Sequence, residues 1–278
     1  MSSSFSLPDW VLHGTHSRGQ FTTLSRASRV DTGGDFMLKI VNGPVYASEF
    51  LSRSAALSVQ SEADVLASIC HPAIVRLRDS FCHMHFYVIV TDFYAGGDLC
   101  AHVLAHGPLD VDACRRFCSS VSEALLYLHT REIVHRDVKP DNVLLSDCER
   151  SRATVVVADF GFARFCHRRD CCRTYLGTPT YMAPEIFETR RGTRRGYGHD
   201  VDVWSFGVLL YTVLSSMTPF DSSVPDACLH FQTIQFDGDA WLQLPTSMSA
   251  LVEALLRKEP SARLSLRSAA VELGNVRC

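Results

Sequence analysis

His135-Arg136-Asp137-Val138-Lys139-Pro140-Asp141-Asn142 is the stretch that decides the fold. Seventeen residues after Asn142 comes Asp159-Phe160-Gly161, and Ala183-Pro184-Glu185 follows. Upstream stands Phe36-Met37-Leu38-Lys39. Any one of these short strings can arise by chance. The whole set, in this order and at workable spacing, is very specific.

The surrounding chain has 278 residues, 46% hydrophobic and 21% charged, which suits one large domain or two lobes sharing a cleft. A net charge of −3 lacks the basic stripe of a nucleic-acid binder. The eleven cysteines are odd in number, with no C-x-x-C pair and no regular spacing. Without a secretory signal in Met1 to Trp10, they are expected as free thiols in a reducing compartment, cytoplasmic or nuclear. No Gly follows Met1 to accept a myristoyl group. No eighteen-residue apolar window exists, so no membrane partner is expected. The longest apolar stretch, Val201 to Leu214, contains Asp202 and suits a helix buried in a core.

The first ninety or so residues read mainly as strands, with short apolar or β-branched runs at Phe36 to Val41 and Phe86 to Thr91. Between them, Ala47 to Ile69 has helical spacing, and His71-Pro72 ends it, because a residue before Pro leaves the helical region. Helices are also expected over Val111 to Thr130, Val201 to Ser215 and Ser249 to Arg257. The strand-rich part followed by a helix-rich part suggests two lobes, with Ala95-Gly96-Gly97 as the natural hinge.

With these motifs in place, the chain resembles the eukaryotic protein kinases over nearly its whole length. The resemblance implies an α+β, two-lobed fold: a small antiparallel-sheet lobe with one main helix, a larger helical lobe, and ATP with Mg²⁺ between them. The kinase domain would span 8–275, divided at 92/93.

Phosphoryl transfer asks a protein mainly for positioning and charge neutralisation. Mg²⁺ prefers oxygen ligands, which Asn142 and Asp159 would supply. Lys39 would reach the α- and β-phosphates, held by a helix carboxylate that the family pattern places at Glu62, with Glu49 the rival. Asp137 would accept or orient the substrate hydroxyl proton, and Lys139 would neutralise charge on the moving phosphoryl group. Thr91 would be the gatekeeper, and Asp92 to Tyr94 the segment whose backbone pairs with adenine. Leu144 matches the adenine floor.

The glycine-rich loop departs from the family pattern. Gly14 and Gly19 match its first and third glycines, but His16 replaces the second. Met37 and Phe21 replace the smaller residues that cover adenine. These changes bear on nucleotide affinity and motivate one rival reading, a pseudokinase scaffold. A small-molecule kinase is a second rival, opposed by the polypeptide-receiving segment Gly177 to Glu185.

Lys139 and Gly177-Thr178-Pro179 point to serine/threonine substrates, with Thr178 bonding near Asp137 and Lys139. Asp98 and Asp141 sit where basophilic relatives carry acidic residues, so a basic protein substrate is one reading and solvated carboxylates the other. Arg136 precedes the catalytic Asp, which in the family goes with a phosphate on the activation segment. The matching residue is Thr174, with Tyr175, Thr178 and Thr180 as rivals and an upstream kinase implied as partner.

Cys166, His167, Cys171 and Cys172 could bind zinc or respond to oxidants, but the plainer reading is an exposed basic loop with incidental cysteines. Cys82-His83-Met84-His85 reads as a turn between strands rather than a metal site, and Arg190, Arg191, Arg194 and Arg195 as a solvated loop, with docking of an acidic partner the alternative. Asp202 is expected to brace the catalytic loop, and Glu185 to pair with Arg263. Leu66, Leu77, His135 and Phe160 match the family's stacked apolar column.

Overall fold

The computed structural model describes residues 7–19, 22–42, 59–84, 86–168, 170–220 and 233–276. The chain divides into two compact units, Met1–Cys70 with Val75–Phe93, and His71–Ile74 with Tyr94–Cys278.

The first unit is a five-stranded antiparallel sheet with a helix. Its strands are β1 (Trp10–Arg18), β2 (Thr22–Arg29), β3 (Asp35–Asn42), β4 (Leu77–His83) and β5 (Phe86–Asp92), in the order β1-β2-β3-β5-β4. Side chains alternate between faces of a strand. Leu38 and Ile40 of β3 are therefore buried with Val88 and Val90 of β5, while Met37 and Lys39 turn the other way and stay half-buried. Leu7, Trp10 and Ala27 complete that core, and the Trp10 ring meets Phe36 edge-on at 5.4 Å. The runs expected at Phe36 to Val41 and Phe86 to Thr91 lie inside β3 and β5.

Helix α1 is described over 59–67; the rest of the helix expected from Ala47, including Glu49, lies outside the described residues. Val59, Ala63 and Leu66 bury one stripe at helical spacing, and Glu62 is buried beside them.

The second unit is mainly helical: α2 (Leu99–His106), α3 (Val111–Thr130), α4 (Pro184–Arg190), α5 (Asp200–Ser215), α6 (Asp239–Leu242), α7 (Thr246–Leu255) and α8 (Leu266–Asn275). Asp98 and Asp110 cap α2 and α3, each accepting a backbone N–H at 2.7 Å. Helix α3 has the bounds that its periodicity predicts, burying Ala113, Phe117, Val121, Ala124, Leu125 and Leu128. Helix α5 is buried on nearly all sides, as its apolar sequence requires. It stops at Ser216, whose φ of 59° leaves the helical region.

Two short ribbons carry the loops that matter. In one, β6 (Ile133–Val134) pairs with β9 (Arg164–Phe165); in the other, β7 (Val143–Leu145) pairs with β8 (Val155–Val157). Residues 135–142 therefore run from β6 to β7, and 158–163 from β8 to β9. The Gly96-Gly97 turn is bonded into this second unit. Gly96 N–H donates to Leu145 O at 3.0 Å, and Leu145 N–H to Gly97 O at 2.8 Å. A Cβ at Gly96 would lie 2.3 Å from Asp147 O, so only glycine fits.

The described cysteines correct one expectation. Seven are thiols, but Cys166 and Cys171 form a disulfide. Cys166 and Cys172 are buried, so their loop is not simply an exposed basic one. Among the described residues, no helix is long and apolar enough to cross a membrane.

Candidate active site

In the first unit, the described candidate residues lie on β1, β3, β5 and α1, apart from Gly19, which follows β1. The Lys39 ammonium donates to both carboxylate oxygens of Glu62, at 2.9 and 2.8 Å. Glu62 is 4% exposed, so this pair holds a charge in a largely dry setting. Met37 pairs across the sheet with Thr91, and Lys39 with Ile89. The Asp92 carboxylate accepts from the Arg78 guanidinium at 2.5 and 2.9 Å.

Gly14 sits at a register shift in β1 with φ 147°, and His16 is exposed beyond it. Gly19 donates its N–H to Thr22 O at 2.8 Å. Phe21 lies outside the described residues.

The second unit brings four of the expected residues into one network. Asp137 Oδ1 accepts from the Thr178 backbone N–H at 3.0 Å and from the Thr178 hydroxyl at 2.9 Å. Asp137 Oδ2 accepts from the Asn142 amide at 2.9 Å and stands 3.1 Å from Lys139 Nζ. Lys139 in turn donates to Thr178 Oγ1 at 2.7 Å. Gly177 permits this closeness: its φ is 118°, and a Cβ there would lie 2.7 Å from Arg136 O.

Asp202 fixes the loop backbone from below. Its carboxylate is fully buried and accepts N–H groups of His135 at 2.9 Å and Arg136 at 2.8 Å. His129 Nε2 makes a third contact at 2.9 Å. Burial pushes the Asp202 carboxyl upward, but His129 beside it, the His135 ring and the Arg136 amide together hold it below the ordinary value. These bonds support Arg136 at φ 69°, a conformation side chains otherwise avoid.

The His135 ring donates from Nε2 to Ala158 O at 3.1 Å and accepts the Asp137 N–H on Nδ1 at 3.3 Å, which fixes its proton on Nε2. It meets Phe160 edge-on at 4.9 Å. Asp159 is exposed at φ 55°, with Oδ1 3.4 Å from Gly161 N. Leu144 is half-buried on β7 and bridges to Asp98, and the Tyr94 carbonyl lies 3.4 Å from Gly97 N.

Arg136 also reaches residues on either side of β9, donating from Nε to Phe162 O at 2.6 Å and from Nη1 to Thr174 Oγ1 at 2.8 Å. Tyr197 holds the same residue by its backbone, donating to Thr174 O at 2.6 Å. Thr174 itself is exposed.

Glu185 and Arg263 form the expected pair. Arg190 is not simply solvated, because its guanidinium stacks on Tyr175 at 4.2 Å. Sequence reading missed His129 and Tyr197, whose roles depend on contacts far along the chain.

The family model for the protein kinase domain matches residues 14–272. The chain therefore belongs to the protein kinase family. It is similar to serine/threonine-protein kinase cds1 of Schizosaccharomyces pombe, 32% identical over 76% of this chain and 45% of that protein. It is also similar to SNF1-related protein kinase catalytic subunit alpha KIN12 of Arabidopsis thaliana, 30% identical over 94% and 50%. A third relative is serine/threonine-protein kinase ppk25 of S. pombe, 33% identical over 94% and 59%. The chain thus spans about half the length of these three relatives, and about a third of others it matches.

Proposed function

We propose that this chain is an ATP-dependent serine/threonine protein kinase, with a catalytic domain spanning 8–275. One observation carries the reading: Asp137, Lys139, Asn142 and Thr178 share a single network. What supports it is that the Asp137 carboxylate accepts from a hydroxyl, that of Thr178, which is the interaction a substrate hydroxyl would make.

The donor set suits Mg²⁺, since Asp159 offers a carboxylate and Asn142, with its amide nitrogen on Asp137, offers an oxygen. Bound Mg²⁺ would neutralise charge on the phosphate oxygens. Asp137 would orient the substrate hydroxyl and take its proton, and Lys139 would offset charge on the group in transfer. Lys39, positioned by Glu62, would hold the α- and β-phosphates. Met37, Thr91, Asp92, Tyr94 and Leu144 are proposed around adenine, and Gly14, Gly19 and Phe21 over the phosphates.

A preference for basic substrates rests more on Asp141 than on Asp98. Asp141 is exposed, whereas Asp98 Oδ1 is committed to capping α2. Thr174, exposed and already on Arg136, is the proposed site for an activating phosphate from an upstream kinase. The test is transfer of labelled phosphate from ATP-Mg²⁺ into Arg-containing serine/threonine peptides. Asp137→Ala and Asp159→Ala should each abolish transfer. A parent protein that binds nucleotide yet stays inert after Thr174 is phosphorylated would sink the proposal.

A further inference from the structure

Three cysteines lie within seven residues of the segment that leads to Thr174. Their sulfur atoms all fall within 4.8 Å of one another. Cys166 and Cys171 have Cα atoms 5.7 Å apart, inside the range that a disulfide spans. The Cys171 N–H donates to Arg168 O at 3.3 Å, which helps hold Cys171 near Cys166. The third thiol, Cys172, has its Sγ 3.8 Å from that of Cys171.

The surroundings decide which pair joins. Cys172 is fixed by two backbone bonds with Tyr197, N–H to O at 3.1 Å and O to N–H at 2.9 Å. Burial pushes the Cys172 thiol up despite the nearby Arg136, so little of it is the reactive thiolate. Cys166 is 1% exposed, anchored by its N–H on Glu132 O. Cys171 alone is exposed. An outside reagent therefore meets Cys171 first.

We propose that Cys166 and Cys171 are a reversible redox-modification site, a clip whose state sets the freedom of the segment ending at Thr174. In the oxidising direction a hydroperoxide removes two electrons and two protons: two thiols and hydrogen peroxide give the disulfide and two waters. In the reducing direction a thiolate of a small dithiol attacks Cys171 Sγ. The S–S bond breaks, Cys166 leaves as thiolate and takes a proton, and the second thiol of the reagent displaces Cys171 while closing its own disulfide. The clip reaches Thr174 through short links. Cys172 follows Cys171 directly, its backbone is bonded to Tyr197, and the Tyr197 hydroxyl holds Thr174 O. The redox site stands on this geometry alone and does not need the kinase reading.

The experiment treats the full chain with hydrogen peroxide or with dithiothreitol. Each form is then mapped by non-reducing peptide mass spectrometry and digested briefly with trypsin. Peroxide should link Cys166 to Cys171, with a mass loss of about 2 Da for two hydrogens. Cys172 should take alkylating reagent only on denaturation. Cleavage after the exposed Arg168 and Arg173 should slow on the order of tenfold in the oxidised form. Cys171→Ser, a change at an exposed position, should abolish the link and the slowing. A Cys171–Cys172 link, no link at all, or equal cleavage of both forms would overturn the proposal. So would one Zn²⁺ held by all three thiols of the peroxide-treated chain with no disulfide.

Discussion

Glu185 and Arg263, 78 residues apart in sequence, meet in a two-pronged ion pair with both distances 2.6 Å. Both side chains are almost fully buried. The guanidinium has further acceptors in the carbonyls of Asp200, Arg257 and Lys258, at 2.8, 2.8 and 3.0 Å. Arginine's planar fork is therefore close to saturated, which a lysine could not reproduce. Glu185→Ala should cost about 3–5 kcal/mol, because it strands a buried guanidinium. Arg263→Lys should recover only part of this. Denaturant unfolding checks both, and a Glu185→Ala protein as stable as the parent would refute the account.

Asp202→Asn is nearly isosteric but swaps one acceptor for an amide donor. Both Asp202 oxygens face backbone N–H groups, of His135 and of Arg136. A donor must then face a donor, at a cost of about 1–3 kcal/mol. The loss should be local. Amide exchange at Arg136 should speed up more than exchange in the middle of α3, and equal acceleration at the two places would contradict the assignment.

The Thr178 hydroxyl links Asp137 to Lys139. Thr178→Val keeps the shape and removes both bonds, and should lower kcat/KM for peptide about ten- to hundredfold. Thr178→Ser keeps the hydroxyl and should stay much nearer the parent. Steady-state kinetics on both variants, with peptide varied, separates a polar role from a packing one.

His199, His102 and His71 are all pushed below the ordinary histidine value, first by burial. His129 beside His199 adds to this, their rings 4.8 Å apart, while Asp202, Asp200 and Glu132 pull the other way. A depressed folded value means that the unfolded chain takes protons first. The stability these groups contribute is present above about 6.5 and is lost as pH falls through their folded values. The Asp202 contribution has the same sign, but its window opens only below 3.8. Thermal melts should fall between pH 7.5 and 5.5, and His199→Gln should reduce that fall. A melt that does not change over this range would count against it.

Much of the architecture was readable because its causes are local. Helix α3 announces itself by one apolar stripe, and α5 by continuous apolarity around Asp202. The motifs of the candidate site are legible because the proposed chemistry demands particular residue types in a short stretch. Glu62 could be found because the family pattern counts back from the His71-Pro72 end of its helix. The contacts that were missed are long-range. His129 reaches Asp202 across 73 positions and Tyr197 reaches Thr174 across 23, with no local string to mark either. The Cys166–Cys171 pairing was also hidden. Three nearby cysteines allow several pairings, and burial, which selects one, belongs to the folded chain.

The family match begins at residue 14, yet the packing begins earlier, at Leu7 and Trp10. Leu7 is 3% exposed, and Trp10 N–H closes a turn onto Leu7 O at 3.1 Å. Arg29, from β2, places its guanidinium over the Trp10 ring at 5.9 Å. These residues shield Leu38, Ile40, Val88 and Val90 from water. A boundary drawn from family likeness alone would cut through that shield and leave a greasy sheet face on display. Such a trimmed protein should be sticky and prone to self-association, with every side chain of the proposed site from Gly14 onward still encoded.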